Sequence, residues 1–193
     1  FDGRPDLFVT NFYNDSNTLY AAQGDGTFRD QTRESNLGQL SFSQLGFGTQ
    51  FLDADLDGDL DLVVANGHIY RFPLSSGIPY RMAPQVLKNS AGRFELVPDS
   101  DAGSFFATEQ LGRSVARLDW NRDGRPDICI SHLDSPVALL QNETQPVKAM
   151  LTVRLVGVQS SRDAIGARVS VLFNDEKQTQ QLMTGDGYQS RNE

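Results

Sequence analysis

The stretch FLDADLDGDLDLVV, residues 51–64, sets five aspartates, Asp53, Asp55, Asp57, Asp59 and Asp61, within nine residues and then runs straight into apolar sequence. The chain around it carries a formal charge of -8. Two like charges about 4 Å apart repel by about 4 kcal/mol at an effective dielectric near 20. A loop so charged, beside a segment that must be buried, calls for a cation.

Asp53, Asp55, Asp57 and Asp61 occupy positions 1, 3, 5 and 9 of this loop. Alternate residues of a tightly curled loop point their oxygens at one centre. Gly58 at position 6 permits the sharp turn, because glycine takes φ > 0 freely. The carbonyl of position 7, Asp59, then turns inward as a further ligand. All-oxygen, largely anionic ligation of flexible geometry suits Ca²⁺, whereas Mg²⁺ demands a stricter octahedron and keeps its waters. The spacing opens like an EF-hand, yet position 12 is Val64 instead of glutamate, and the flanks read as strands.

The loop recurs. LDADLDGDLDLVVAN (Leu52 to Asn66) returns as LDWNRDGRPDICISH (Leu118 to His132), with Asp119, Asn121, Asp123 and Asp127 in the ligand places and the Arg125 carbonyl at position 7. Its second half stands at the start as FDGRPDLFVTN, where Asp2, Gly3, Arg4 and Asp6 remain and positions 1 and 3 are missing. A metal site built from Asp2, the Arg4 carbonyl and Asp6 is therefore expected to be empty or weak. The two complete copies lie 66 residues apart, and the same offset pairs Phe28 with Phe94, Gly26 with Gly92, Leu45 with Leu111 and Gly46 with Gly112. A single Asp-Gly stretch is as readily a solvated turn. Copies in one ungapped register argue for a solenoid, an array or a propeller.

Within each repeat the signals are those of strands. DLFVTN, DLVVAN and DICISH are short runs that begin at the last aspartate of a loop. LGFGTQFL and LGRSVARL lead into the two complete loops, and Asp25-Gly26 and Ala91-Gly92 read as hairpin turns. The segments around 29–41 and 95–110 lack a sustained helical period. Several strands per repeat without sustained helices predict an all-β array, and this repeat length suits propeller blades. GHIYRFPLSSGIPYRMAP, residues 67–84, lengthens the second repeat and is expected to project as a surface loop.

Other chemistry is sparse. The acidic balance disfavours nucleic acid or an anionic membrane surface as partner, and no apolar run approaches a membrane span. The single cysteine, Cys129, excludes an internal disulfide framework and aligns with the strand residues Phe8 and Val63. His132 takes the place of Asn11 and Asn66 and is expected to cap the strand or its turn. His68 lies out of register with it, at the insertion. Trp120, between two ligand positions, is expected to cover the loop's outer face. SSRDAIGAR, residues 160–168, is expected to serve as a hairpin connection between TVRLVGV and ARVSVLF, sooner than to bind an anion through Arg162. Asn14 and Asn142 begin glycosylation sequons by pattern. No Ser/His/Asp arrangement, zinc spacing or catalytic carboxylate pair stands apart from the aspartate loops.

The loops D-x-[DN]-x-D-G-x-x-D, with Gly-Phe-Gly at 46–48 upstream of one of them, resemble the FG-GAP (VCBS) repeats of integrin-type β-propellers. LYAAQGDGTFRDQT and VLKNSAGRFELV resemble the blade pattern of bacterial proteins related to cartilage acidic protein. LTVRLVGVQSSRDAIGARVSVLF followed by TGDGYQS is similar to the ASPIC/UnbV domain that follows such propellers. The resemblance implies a secreted, periplasmic or cell-surface calcium-bound propeller. Two full repeats and fragments do not close a ring of four to eight blades, so the chain reads as an internal piece of a longer protein. Residues 1–145 would be partial β-propeller blades, 146–148 a short linker, and 149–193 most of the β-rich tail. The leading expectation is a calcium-stabilised scaffold, not an enzyme, presenting loops to an extracellular protein or glycan without membrane insertion. The alternative is part of a propeller enzyme acting on polysaccharide, with catalytic loops outside this piece.

Overall fold

A computed structural model of the chain describes residues 3–145, 151–173, 176–183, 185 and 187–192. The expected linker at 146–148 and Asp2 of the half loop lie outside the described residues. What is described is nearly all β, arranged as four antiparallel sheets.

The first sheet pairs β1 (Leu7–Val9), β2 (Thr18–Ala22) and β3 (Phe28–Asp30) in chain order. The second is the complete unit: β4 (Gly46–Leu52), β5 (Asp61–Asn66), β6 (Gln85–Ser90) and β7 (Arg93–Leu96), again in chain order. The third holds β8 (Gly112–Leu118), β9 (Asp127–His132) and β10 (Ala138–Leu140). β4 and β8 stand at the 66-residue offset, and so do β5 and β9. Even the bulge repeats, between Gly46 and Thr49 in one copy and between Gly112 and Val115 in the other. Both complete aspartate loops thus join the first two strands of a sheet. Ser90 pairs with Arg93 across Ala91 (φ 51°) and Gly92 (φ 86°), the two positive φ values of a type I′ turn. The β2–β3 connection is wider, closed by Gln23 N–H donating to Thr27 O at 2.9 Å. The helices are short, α1 (Leu37–Ser41) and α2 (Asp99–Ala102), in the two segments that carry no strand pattern.

Within the second sheet β5 is buried on both faces, as its apolar run Leu62 to Ala65 requires. Leu62 and Val64 point one way, into a cluster with Leu19, Leu37, Leu87 and Phe94 that joins the first sheet to the second. Val63 and Ala65 point the other way, into a cluster with Leu52, Val115, Ile128 and Ile130 that joins the second to the third. The repeat counterparts of Leu62, Val64 and Phe94 are Leu7, Val9 and Phe28, which are 49%, 43% and 46% exposed. Equivalent sequence is buried only where a neighbouring sheet covers it. β4 and β8 approach closely at Gly48, where a Cβ would stand 2.5 Å from Arg113 O and 2.6 Å from Ser114 Cα. The second glycine of Gly-Phe-Gly is therefore a packing requirement between the first strands of adjacent sheets.

The C-terminal part departs from the expected hairpin. β11 (Arg168–Phe173) pairs with β12 (Glu176–Gln181), not with residues 152–158, which carry no strand. Val153, Val156 and Val158 stay exposed, so the alternation there found no partner edge to pair with. The chain end returns to the second and third sheets. Arg117 N–H donates to Asn192 Oδ1 at 2.7 Å, and the Tyr188 ring lies 5.7 Å from that of Phe47, over which Arg113 stacks at 4.0 Å.

Candidate metal centre

The 53–61 loop is held by its own carboxylates. Asp53 accepts N–H bonds from Asp57 at 2.9 Å and Gly58 at 3.0 Å, and Asp55 accepts a second, from Asp57, at 3.2 Å. Asp57 accepts from Asp59 N at 2.9 Å. Leu56 (φ 61°) and Gly58 (φ 99°) make the turn that points these amides inward. Asp61, buried at the start of β5, accepts from Ala54 N at 2.9 Å and from Asn89 N of β6 at 2.8 Å. The position-9 aspartate thereby ties the loop's two ends together and to the third strand.

The 119–127 loop repeats this scheme bond for bond. Asp119 accepts from Asp123 N and Gly124 N at 3.1 and 3.0 Å, Asn121 from Asp123 N at 3.0 Å, and Asp123 from Arg125 N at 2.9 Å. Asp127 accepts from Trp120 N at 2.9 Å and Asn142 N at 2.8 Å. Arg122 (φ 57°) and Gly124 (φ 87°) occupy the same turn positions. The half loop keeps the last of these bonds, Ala22 N–H to Asp6 Oδ1 at 2.9 Å, while the Arg4 side chain reaches Gln23 O at 3.3 Å.

Charge separates the copies. Asp53, Asp55 and Asp61 bring carboxylate oxygens within 4.8 Å of one another. Oxygens bound to one calcium at about 2.3–2.6 Å span up to about 5 Å across the ion, so this spread fits a single cation. Burial pushes the Asp53 carboxyl up, helped by Asp57 and Asp55, against the bonds from Gly58 and Asp57. Burial likewise pushes Asp61 up, against its bonds from Asn89 and Ala54. Carboxylates held together in this state gain from a positive charge. Asp57 is held down, first by the Asp59 N–H and then by Lys88. Lys88 Nζ pairs with Asp55 and lies 3.6 Å from Asp57 Oδ2. Asp59 turns its carboxylate to Ala91 N at 3.2 Å, leaving its carbonyl as the candidate ligand. In the later copy the Arg125 guanidinium pairs with Asp123 inside the loop, and Asn121 Nδ2 donates to Asp123 at 2.6 Å.

The anchoring residues Asn89, Asn142 and Ala22, and Lys88 beside Asn89, were not among the residues expected from sequence. Lys88 and Asn89 sit on β6 and Asn142 just after β10, the third strands of their sheets, and Ala22 ends β2, at a distance from the loop that varies with the insertion. The only cue is a shared apolar-then-polar ending in VLKNS and ALLQNE. Other expectations resolve simply. Trp120 is 66% exposed and leaves the loop uncovered. His132 Nδ1 bonds Pro136 O at 2.9 Å and so closes its turn. His68 is buried at the root of the insertion, with the Phe12 and Phe72 rings 5.1 and 5.0 Å away, while Tyr70 and Leu74 are exposed. Cys129 is a half-buried strand residue paired with Leu139. Asn142 donates its amide to Ala54 O at 2.8 Å, which commits the sequon side chain to the structure.

Residues 1–64 match the family model described as FG-GAP-like repeat, and residues 157–193 match the one described as ASPIC and UnbV. The two matches, in this order, correspond to the FG-GAP repeat plus ASPIC/UnbV architecture. No curated protein matches it. The FG-GAP match runs from the half loop through the first complete loop into β5. The 119–127 loop lies beyond both matched segments, yet its hydrogen bonds reproduce those of the matched copy. FG-GAP-like repeats suggest an extracellular or cell-surface β-rich scaffold. Among the described residues no helix is long and apolar enough to cross a membrane.

Proposed function

We propose that the chain is a calcium-stabilised section of a β-propeller, secreted, periplasmic or at the cell surface, that serves as a non-enzymatic scaffold presenting loops to an extracellular protein or glycan. The observation that carries the calcium reading is the convergence of Asp53, Asp55 and Asp61 within 4.8 Å, in a loop whose bonding recurs in a second copy. Asp57 and the Asp59 carbonyl would complete that oxygen set. Asp119, Asn121, Asp123, Asp127 and the Arg125 carbonyl would form the second. A bound calcium would neutralise these carboxylates and fix the turn against a buried strand. The propeller reading is supported by three sheets packed face to face in chain order, with β4 and β8 side by side. Loops such as 67–84, which project from the sheets, are the surfaces available to a partner.

Chelation tests this. Binding to the native state alone adds RT ln(1 + [L]/Kd), about 2.7 kcal/mol per site at a hundredfold excess over Kd. For a chain of this size that is a Tm change of roughly 5–10 °C per site. Chelator should lower the Tm by that order, and Asp57→Ala should do so with calcium present but have little effect without it. An unchanged melting curve, with chelation instead abolishing turnover of a glycan, would make the metal catalytic and the scaffold reading wrong.

A further inference from the structure

The Lys88 ammonium sits at the edge of the carboxylate set that the calcium reading assigns to the ion, paired with Asp55 and close to Asp57. Its place is set by the fold. The next residue, Asn89, is tied to the loop twice, through its N–H to Asp61 and through Nδ2 to Leu60 O at 3.0 Å. That anchoring leaves position 88 beside the loop, on the exposed side of β6. The equivalent anchoring residues in the other copies are Ala22 and Asn142, and the residues before them are Ala21 and Gln141. A cation stands at this position only beside the loop with four carboxylates in ligand places.

We propose that Lys88 is a tethered counter-ion of the 53–61 loop, which neutralises Asp55 and Asp57 in the metal-free chain and must yield when a divalent cation enters. This rests on the calcium reading of that loop. Lys88 and calcium compete for Asp55 and repel each other across a few ångströms. The lysine side chain is 47% exposed, so it can swing outward without unfolding β6. Its consequence is a loop that stays ordered before calcium arrives, with a calcium affinity below that expected from its carboxylate count.

Calorimetric titration of the whole chain with calcium, comparing wild type with Lys88→Met and Lys88→Arg, tests the proposal. Lys88→Met keeps much of the stem and removes the charge. It should tighten one calcium site about fivefold, leave the second unchanged, and lower the Tm in chelator by about 2 °C, the size of one exposed ion pair. Lys88→Arg, which keeps the charge, should stay within about twofold of wild type. Raising the salt should shrink the difference between wild type and Lys88→Met, because an exposed pair is screened. Equal calcium affinity in wild type and Lys88→Met would overturn the competition alone. Absence of calcium heat from every variant would overturn the calcium reading and the competition with it.

Discussion

The loops at 53–61 and 119–127 share a hydrogen-bond skeleton and differ in charge. In both, position 1 accepts two loop amides, position 3 one, position 5 the amide two residues on, and position 9 ties position 2 to the third strand. Yet one loop places four aspartates at the ligand positions and takes its cation from a neighbouring strand, whereas the other replaces one with Asn121 and carries Arg125 inside itself. The shape of the loop is therefore set by acceptors at fixed spacing and a positive-φ turn. Charge is a separate variable laid over that shape, and only charge distinguishes what the two copies can bind.

The largest expected effect tests whether the skeleton is common to both. Asp61 and Asp127 are 1% and 0% exposed, and each takes two backbone N–H bonds. Replacing either by alanine leaves two part-buried backbone donors without their carboxylate, at up to about 1–3 kcal/mol each. Asp61→Ala and Asp127→Ala should each cost about 3 kcal/mol in chelator, read as similar falls in Tm. A loss confined to Asp61→Ala would show that the two loops do not share their anchoring, and would break the comparison.

Much of this was legible in the sequence, for reasons particular residues show. The 66-residue offset placed β4 against β8 and β5 against β9 because register in a repeat is carried by short-range signals: Gly58 and Gly124 at the turn, aspartates at odd positions, apolar runs after them. Lys88, Asn89 and Asn142 were not legible, because their contacts with the loops depend on where the third strand lies, and residues 67–84 shift that strand in one copy only. The tail misled for a different reason. TVRLVGV has the alternation of a strand, but alternation declares only a surface to be paired, and β11 pairs with β12. Trp120 lies between two ligand positions, but a place in the loop does not say which way a ring turns, and it is 66% exposed.

A smaller effect sharpens the charge side of the comparison. Calcium affinity follows the charge count of the ligands, so the 53–61 loop should bind more tightly than the 119–127 loop, with its amide and its Arg125. The expected gap is about tenfold, or about 1.4 kcal/mol, reduced from what four carboxylates would give by Lys88. Two-site calorimetry, with Asp53→Ala and Asp119→Ala each removing one site, assigns the order. The reverse order would mean that rigidity ranks the copies and that charge is incidental.

The smallest effect is a change in the sign of a pH dependence. Asp53 and Asp61 are pushed up by burial in the metal-free chain, whereas Asp57 and Asp123 are held down, first by backbone N–H bonds from Asp59 and Arg125. A carboxyl whose folded pKa is raised contributes stability that is full below the unfolded value, about 3.9, and is lost as pH rises through the folded pKa. The lowered pair act only below about pH 4, where their contribution is lost as pH falls through their folded pKa. His68, held below its ordinary value by burial, loses its contribution as pH falls from about 6.5, opposing the raised aspartates. The difference between wild type and Asp53→Asn cancels His68 and isolates the loop. In chelator, wild type should lose stability relative to Asp53→Asn as pH climbs from about 4, because only wild type must charge a partly buried carboxylate among its like. With calcium the ion favours the ionised Asp53, so wild type should instead gain on Asp53→Asn over the same climb. A slope of one sign under both conditions would show that Asp53 does not meet the ion, and would leave the 53–61 loop distinguished from its copy by composition alone.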